Sequence, residues 1–297
     1  MASLERLLEY LGLPQEAART LPPAAVAPVP PQTGAVRTGE HGAAWPTAGA
    51  IEFVDLELRY RPELPLVLVG LNARIVGGER AGICGRTGAG KSSLILALLR
   101  LVEPSGGSVR IDGVDTSTIG LDRLRRAVAV IPQDPTLHKG SVRHNLDPFG
   151  EHTDEQLAQA LARTALPAEM LTAEVEKSGS NLSSGERQLL CFARALVQQR
   201  SILVLDEATS NLDAESDSRI QSLLRRDFGR VTLLTIAHRL KTIIDYDTVL
   251  VLSKGRLVEQ GSPAALLERP EGTFTAMVGA LGEAGKAELR RRAKTSK

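Results

Sequence analysis

Residues 80–94 read RAGICGRTGAGKSSL, and this stretch decides the fold. The apolar segment Arg80–Cys84 is typical of a buried strand, and the residues that follow, GRTGAGKS, match the phosphate-binding pattern G-x-x-x-x-G-K-[ST]. In such a loop the glycines let backbone N–H groups surround the phosphates, Lys91 neutralises β- and γ-phosphate charge, and the Ser92 hydroxyl binds magnesium. A helix is predicted from about Lys91 to Leu101, so the stretch indicates a nucleotide-binding strand–loop–helix unit.

A second chemical signal is the apolar strand Ile202–Leu205, which two acidic residues follow. An acid at the carboxyl end of a central strand lies beside the phosphate loop, so Asp206 is a candidate for holding Mg²⁺, directly or through water. Glu207 is a candidate general base for the attacking water. Acids also close strands and cap the next helix, and on this segment alone the two interpretations are equally good. The loop residues expected to contact the nucleotide are Gly85, Arg86, Thr87, Gly88, Ala89, Gly90, Lys91, Ser92 and Ser93.

The composition argues against several classes of function. The 297 residues carry a formal net charge of +1 and include 3% aromatic residues, which disfavours a nucleic-acid surface. Cys84 and Cys191 lie in apolar stretches without metal-ligand spacing, so buried, reduced thiols are expected. No apolar run approaches the roughly 18 to 20 residues that span a bilayer, and Met1–Tyr10 is too charged for a signal peptide.

The order of patterns along the chain predicts three regions. Residues 1–49 hold a short leucine-faced helix and a linker rich in Pro and Ala. Residues 50–281 alternate strands and helices, which predicts an α/β domain with a covered parallel sheet. Within it we expect a small antiparallel part near residues 51–75 and an inserted helical subdomain of about residues 134–199. Residues 282–297 are expected to form a basic, solvated tail.

Local signals predict several individual features. Ile51 and Phe53 alternate in one phase and Leu56 and Leu58 in the other, which indicates a β-bulge near Val54. Two strand segments are expected at residues 67–69 and 71–75, a hairpin turn at residues 112–113, and a capping box at the start of a helix over residues 154–166. Further strands are expected at residues 231–236 and 248–252.

The segment LSSGE, residues 182–186, precedes a helix predicted over residues 184–199. Ser183 and Glu186 have the spacing of an ordinary capping box. The same geometry leaves a helix N-terminus that can receive a γ-phosphate, and both interpretations stay open on these residues alone.

Taken in order, these motifs resemble ATP-binding cassette domains, most of all the second nucleotide-binding domain of the multidrug-resistance-associated (C) subfamily. The resemblance covers nearly all of residues 51–281. It rests on these strings: LRYRPELPLVL at Leu58, GRTGAGKSSL at Gly85, IPQDPTL at Ile131, NLDPF at Asn145, NLSSGERQLLCFARAL at Asn181, LDEATSNLD at Leu205 and TIAHRLKTI at Thr235. LERLLEY at Leu4 also resembles the segment that follows the last membrane helix in those transporters.

The resemblance implies roles that the residues alone do not establish. Tyr60 would stack on adenine, Gln133 would contact Mg²⁺ and the attacking water, and His238 would contact the γ-phosphate and position Glu207. Asp213 would lie at the interface of a cassette dimer. The family also implies that Ser183 and Gly185 serve an ATP bound on a partner cassette. The full set expected in catalysis is Glu207, His238, Gln133 and Lys91, and the set expected at the metal is Ser92, Gln133 and Asp206.

The sequence departs from the family's usual LSGGQ signature at two positions, where Ser184 and Glu186 replace Gly and Gln. The second domain of the C subfamily commonly departs at the first of these positions. We therefore expect asymmetry: the chain's own MgATP is hydrolysed, while the site completed by its signature helix is slow. The Glu186 carboxylate is expected to weaken that second site further.

The expected function is MgATP hydrolysis coupled to export of organic anions or conjugates through transmembrane domains. A second cassette would pair head-to-tail with this chain at the cytoplasmic face of a membrane, and no nucleic acid is expected as partner. Because membrane helices precede LERLLEY in the family, the chain is interpreted as a fragment, a separately encoded half or an expressed domain. Two alternatives stay open: a cassette protein of DNA repair or translation, and a nucleotide-sensing module with little turnover.

Overall fold

A computed structural model describes residues 16–20, 45–206, 214–237 and 239–295. The fold is α/β, as predicted, and is organised around a six-stranded sheet in the order β12-β11-β3-β10-β9-β6. Five of these strands run parallel, and β12 pairs antiparallel with β11 at one edge. The strands are β3 (Arg80–Gly85), β6 (Val128–Ile131), β9 (Ile202–Asp206), β10 (Thr232–Ile236), β11 (Thr248–Ser253) and β12 (Arg256–Gly261).

The central strands β9, β10 and β11 are buried on both faces, which explains why they are mainly apolar, whereas β12 at the edge is polar and partly exposed. Successive side chains of a strand point to opposite faces, and here they enter two different cores. Leu203 and Leu205 lie in one hydrophobic cluster, whereas Ile202 and Val204 lie in the other. The first cluster packs beneath the helices of residues 142–197 and 220–293, and the second beneath a smaller sheet and the helix that follows the phosphate loop.

The smaller sheet has four antiparallel strands in the order β2-β1-β4-β5. Its strands are β1 (Ile51–Leu58), β2 (Leu68–Ile75), β4 (Gly106–Ile111) and β5 (Val114–Asp115). The bulge in β1 is confirmed by two observations. The pairing register shifts after Phe53 against β2 and after Val54 against β4. In addition, Asp55 adopts a φ of 45°. The hairpin turn at residues 112–113 is also confirmed. The two segments predicted around Gly70 form a single strand, so that prediction was wrong, and the sheet extends beyond residue 75 to Asp115.

Residues 134–199 are mainly helical and contain α3 (Val142–Leu146), α4 (Asp154–Arg163) and α5 (Ser184–Gln198), with a two-residue ladder of β7 (Gly140–Ser141) and β8 (Glu174–Val175). The predicted capping box of α4 is present: the Thr153 hydroxyl accepts from the Gln156 N–H, and the Gln156 side chain accepts from the Thr153 N–H. Short 3₁₀ helices lie at Thr116–Thr118, Ala168–Thr172 and Lys177–Gly179.

The chain enters the domain along an anchored segment. Both carboxylate oxygens of Asp112, in the β4–β5 turn, accept backbone N–H groups from four successive residues, at 2.7 to 3.1 Å: Thr47, Ala48, Gly49 and Ala50. Trp45 donates its indole N–H to the Ile111 carbonyl at 3.0 Å. The end of the predicted linker is therefore ordered by hydrogen bonds. The helix predicted within residues 4–11 lies outside the described residues, as does most of the linker.

The prediction of a solvated C-terminal tail was wrong. The remaining helices are α1 (Lys91–Leu98), α2 (Leu121–Ala127), α6 (Ala214–Asp227), α7 (Leu240–Ile243), α8 (Pro263–Leu267), α9 (Thr273–Gly279) and α10 (Gly282–Thr295). Helix α10 places Leu289 and Ala293 in the first hydrophobic cluster, with 3% and 7% of their surfaces exposed. The helix is mostly basic and polar, but a few apolar residues lie along one face of it. The prediction considered the composition of the whole segment and therefore did not detect this apolar face.

Candidate nucleotide site

The phosphate loop connects the end of β3 to the first turn of α1, as the sequence predicted. Gly85 and Gly90 have positive φ angles of 152° and 101°, which favour glycine. A Cβ atom would lie 2.3 Å from the Leu252 carbonyl oxygen at Gly85 and 2.8 Å from a Leu68 methyl at Gly90. The loop therefore packs closely against Leu252 and Leu68 and leaves no room for a side chain at either position. Between these glycines, Arg86, Thr87 and Gly88 are exposed and Ala89 is buried.

Lys91 lies folded against the loop rather than in solvent. Its side chain is buried, and Nζ donates to the carbonyls of Gly85 at 3.0 Å and Arg86 at 3.3 Å. The ammonium is therefore held inside the curve of the loop at the N-terminus of α1, where the helix dipole adds positive potential. Ser92, one residue further along α1, is exposed. A cation, a helix N-terminus and an exposed hydroxyl together are suited to binding an anion beside a metal ion.

Tyr60 reaches the same helix from the loop between β1 and β2. Its hydroxyl lies 2.8 Å from Oγ of Ser93, while 47% of the residue is exposed. The hydrogen bond fixes the phenol end, so the ring is held beside α1 with a free face. An exposed, oriented ring next to a phosphate loop is suited to stacking on a base.

Asp206 and Gln133 lie at the carboxyl edge of the sheet that carries the loop. Ile236 of β10 pairs with Ile83 of β3 on one side and with Asp206 of β9 on the other. Asp206 is therefore two strand spacings from β3, about 10 Å across the sheet. Gln133 follows β6, the neighbour of β9, by two residues and is exposed.

These residues fit Mg²⁺, which prefers oxygen ligands and usually keeps several waters while binding one or two protein groups and the phosphates of a nucleotide. Ser92 in the first turn of α1 offers a hydroxyl, Asp206 at the end of β9 offers a carboxylate, and Gln133 offers an amide oxygen. A full protein cage is not needed for this ion.

Three predicted residues, Glu207, Asp213 and His238, lie outside the described residues. Their flanks are described. Asp206 ends β9, and the Ala237 N–H donates to the Ile83 carbonyl at 3.0 Å. The chain before residue 238 is thus tied to β3 two residues upstream of the phosphate loop.

At the N-terminus of α5 the capping box is formed by Ser183 and Glu186. Glu186 Oε2 accepts from the Ser183 N–H at 2.9 Å and from the Ser183 hydroxyl at 2.7 Å, and Ser183 Oγ accepts from the Glu186 N–H at 3.2 Å. The Ser183 hydroxyl and backbone hydrogen bonds hold the pKa of Glu186 below its usual range. The serine proton is therefore directed at a carboxylate of the same helix. Gly185 lies half-buried inside the first turn.

Both cysteines are buried, as predicted. Burial raises the pKa of the Cys84 thiol to about 12 and that of Cys191 above its ordinary value. Both stay protonated at neutral pH, so neither is a candidate nucleophile.

Comparison with known proteins places this site in a family. A family model described as ABC transporter matches residues 68–210. ATP-binding cassette sub-family C member 4 of Homo sapiens is 46% identical over 99% of this chain and 21% of its own length. ATP-binding cassette sub-family C member 2 of Rattus norvegicus is 45% identical over 93% of this chain and 17% of its own length. ABC transporter C family member 3 of Arabidopsis thaliana is 44% identical over 93% of this chain and 18% of its own length.

A solved structure shows the same fold. The structure of a bacterial Atm1-family ABC exporter with ATP bound is 34% identical, with a TM-score of 0.73 over 79% of this chain and 42% of that one. The chain belongs to the ATP-binding cassette family, as a nucleotide-binding domain whose relatives are C-subfamily transporters, and membership implies that it binds ATP. The chain spans about a fifth of the length of the curated relatives it matches. Among the described residues, no helix combines the length and apolarity needed to cross a bilayer.

Sequence reasoning did not predict two structural features at or near the candidate site. Ser93 was expected only as a loop contact, yet it holds the Tyr60 ring, and no spacing rule links residues 33 positions apart. Phe149 was quoted only within the NLDPF string, yet it is 75% exposed and stacks with the Arg126 guanidinium, 5.5 Å from the ring centroid. An aromatic residue in a polar loop was the available signal for it.

Proposed function

We propose that this chain hydrolyses MgATP in a head-to-tail dimer with a second cassette, and that the cycle drives export of organic anions or conjugates through transmembrane domains. The domain would work at the cytoplasmic face of a membrane. The names of the relatives and their identity with this chain support the transport part of this proposal. The chemistry of the nucleotide site supports the ATPase part.

One observation carries the proposal: Lys91 Nζ lies inside the curve of the glycine loop, beside exposed Ser92 and on the same sheet edge as Asp206. A triphosphate in that curve would meet a cation and the α1 dipole at its β- and γ-phosphates. Its Mg²⁺ would find a hydroxyl and a carboxylate. When bound, the ion would neutralise charge on the transferring phosphoryl group.

Hydrolysis further needs residues at the ends of β9 and β10. Glu207 directly follows Asp206, and we assign to it the general base that activates water. His238 would hold this base and the γ-phosphate, Gln133 would relay the nucleotide state, and Asp213 would lie at the dimer interface. Tyr60 would stack on adenine. Residues 50–281 would form the catalytic domain, with the helical subdomain at about residues 134–199.

The dimer would join the α5 N-terminus of this chain to the phosphate loop of the other cassette through Ser183 and Gly185. In this chain the Ser183 hydroxyl donates a hydrogen bond to the ionised carboxylate of Glu186. The same carboxylate would place a negative charge where a γ-phosphate would bind. A carboxylate at that position competes with the phosphate for the same donors. We therefore assign slow turnover to this composite site and faster turnover to the site on Lys91.

A cleft of about 560 Å³ between α2, the end of β6 and α5 is suited to receive the membrane partner. Exposed Phe149 and Val130 give it an apolar patch. Five arginines and one acid line it: Arg19, Arg125, Arg126, Arg194, Arg200 and Asp122. Such a surface would bind a partner segment with apolar and acidic side chains. Because Gln133 lies two residues after β6, docking at this cleft would be close to a residue assigned to the nucleotide.

ATP hydrolysis by the full chain, measured over a range of protein concentrations, tests the proposal. We expect slow turnover that rises more steeply than linearly with concentration, because each active site needs a second cassette. Glu207→Gln should abolish turnover while ATP uptake remains. Fast turnover independent of concentration would contradict the dimer mechanism. ATP uptake with no turnover at any concentration would instead favour a nucleotide-sensing module.

A further inference from the structure

A second cleft, of about 670 Å³, opens between the sheet edge and the C-terminal helices. One wall is formed by the ends of β3 and β11 and the start of α7, and the other by α9 and α10. The volume falls in the range of sites that enclose drug-sized ligands, roughly 300 to 1,000 Å³.

This cleft is distinct from the candidate nucleotide site. Of the phosphate loop it touches only Gly85 and Arg86, while Tyr60 and residues 87–93 lie elsewhere. A molecule bound here would rest against the outside of the loop, whose inner side is occupied by Lys91.

The floor of the cleft is apolar and its opening is maintained by small side chains. Leu240, Leu252 and Leu289 line it and are buried, and Leu281, with 54% of its surface exposed, overhangs one rim. On the helical wall, Ala276, Ala280 and Gly285 face the space, and their size keeps it open. An aliphatic or aromatic body bound here would remove this apolar floor from water, which favours binding.

The helical wall is held in place independently of any ligand. The Glu259 carboxylate of β12 accepts the N–H groups of Thr273 and Phe274, at 3.0 and 2.8 Å, and so caps α9. The Thr275 hydroxyl donates to the Leu266 carbonyl at 3.0 Å. The cleft is therefore preformed, which lowers the entropic cost of binding.

The charges around the cleft define the ligand. Arg86 of the phosphate loop and Arg239 and Lys241 beside and within α7 line the cleft, and Glu288 lines the α10 wall, so cations outnumber acids among the described lining residues. We propose that this cleft binds an amphiphilic organic anion, with its apolar body on the leucine floor and its anionic group toward Arg86 and Lys241. Within the part of the chain that the structure describes, no aromatic side chain lines the cleft, which disfavours a nucleobase.

Fluorescence titration of the full chain with anilinonaphthalene sulfonate, and with neutral N-phenylnaphthylamine, tests the proposal. We expect saturable binding of the anionic probe to this cleft. Ala276→Phe, which fills the cleft from an exposed helix position, should weaken both probes about tenfold or more. Its matched control is Ala162→Phe, an exposed alanine of α4, which should change neither. Lys241→Gln should weaken only the anionic probe, by about threefold.

Saturable binding unchanged by Ala276→Phe would overturn the proposal, as would equal losses in Ala162→Phe or equal effects of Lys241→Gln on both probes. Loss of the probe site as the chain self-associates would identify a second copy as the occupant and would also overturn it. Lys91→Ala should leave the probe affinity unchanged, so a failure of the ATPase assignment would be recognised separately.

Discussion

The hydroxyl of Tyr60 and Oγ of Ser93 lie 2.8 Å apart and join the β1–β2 loop to helix α1. Ser93 is buried directly behind the phosphate loop, whereas Tyr60 is half-exposed. One hydrogen bond thus sets the distance between the ring proposed for adenine and the loop proposed for the phosphates. Such a tie would reduce the conformational freedom lost when both ends of a nucleotide bind.

Two substitutions of Tyr60 should distinguish the contribution of its hydroxyl, which bonds to Ser93, from that of its ring, which would stack on adenine. Tyr60→Phe keeps the ring and loses a hydrogen bond worth about 0.5 to 1.5 kcal/mol, so the ATP Kd should rise about two- to tenfold. Tyr60→Ala also loses stacking and should raise it further, by about another tenfold. Calorimetry with ATP measures both. Equal affinities for wild type and Tyr60→Ala would contradict the stacking role.

The Ser183–Glu186 pair predicts a gain of function. Glu186→Gln keeps a capping-box side chain at the third helical position but removes the charge, so MgATP-dependent association with a second cassette should tighten about fivefold. Glu186→Ala loses the cap as well and should destabilise the domain by about 1 kcal/mol. Analytical ultracentrifugation and thermal denaturation separate the two effects. Weaker association of Glu186→Gln than of wild type would contradict the competition between carboxylate and phosphate.

Asp227 of α6 couples that helix to the helical region through Arg163 of α4, at 2.8 Å, and it also pairs with its neighbour Arg226, at 2.6 Å. Burial alone raises the pKa of Asp227, but the hydrogen bonds from Arg226 and Arg163 outweigh it and the net pKa lies below the usual value. The stabilisation is therefore present above the unfolded pKa of about 3.9 and is lost as pH falls through the lower folded pKa.

Asp227→Asn should lower the free energy of unfolding at pH 7 by about 1 to 3 kcal/mol, since both arginines are half-exposed or more. The difference from wild type should shrink below pH 3. Asp154→Asn, which removes the exposed partner of Arg143, is the matched control and should cost about 1 kcal/mol or less. Urea unfolding at both pH values gives the comparison. A loss in Asp227→Asn no larger than in the control would contradict the coupling.

The hydrogen bonds of Asp112 should anchor residues 47–50 at the start of the domain. Removing its carboxylate in Asp112→Ala leaves the N–H groups of residues 47–50 without their acceptor and should lower the free energy of unfolding by about 2 kcal/mol. Limited proteolysis should then cut within residues 45–50 faster than in wild type. An unchanged cleavage rate would show that Trp45 alone anchors the segment.

Much of this architecture was predictable because its signals are local. The phosphate loop, the β1 bulge and both capping boxes depend on residues a few positions apart. Strands of a parallel sheet that is covered on both faces are also recognisable in sequence, because they are short apolar runs such as Ile202–Leu205. The carboxyl-edge position of Asp206 followed from that strand without any knowledge of its neighbours.

What escaped prediction depends on contacts distant in sequence. The Tyr60–Ser93 bond and the Asp112 anchor join residues 33 and more than 60 positions apart. Helix α10 buries Leu289 and Ala293 only because the first core offers them a surface, so its basic composition alone suggested a solvated tail. The strand β6 was missed because Val128–Ile131 follows directly on a helix with no turn between them.

The central claim is that Lys91, the glycine loop and Asp206 hold one magnesium-bound triphosphate, and calorimetry with ATP tests it most directly. We predict that the wild-type chain binds one ATP per chain in the presence of Mg²⁺ and binds ATP more weakly without the ion. In Lys91→Ala the affinity for ATP should fall by at least about a hundredfold. Uptake in Lys91→Ala equal to that of the wild type, or no uptake by either protein, would contradict the claim.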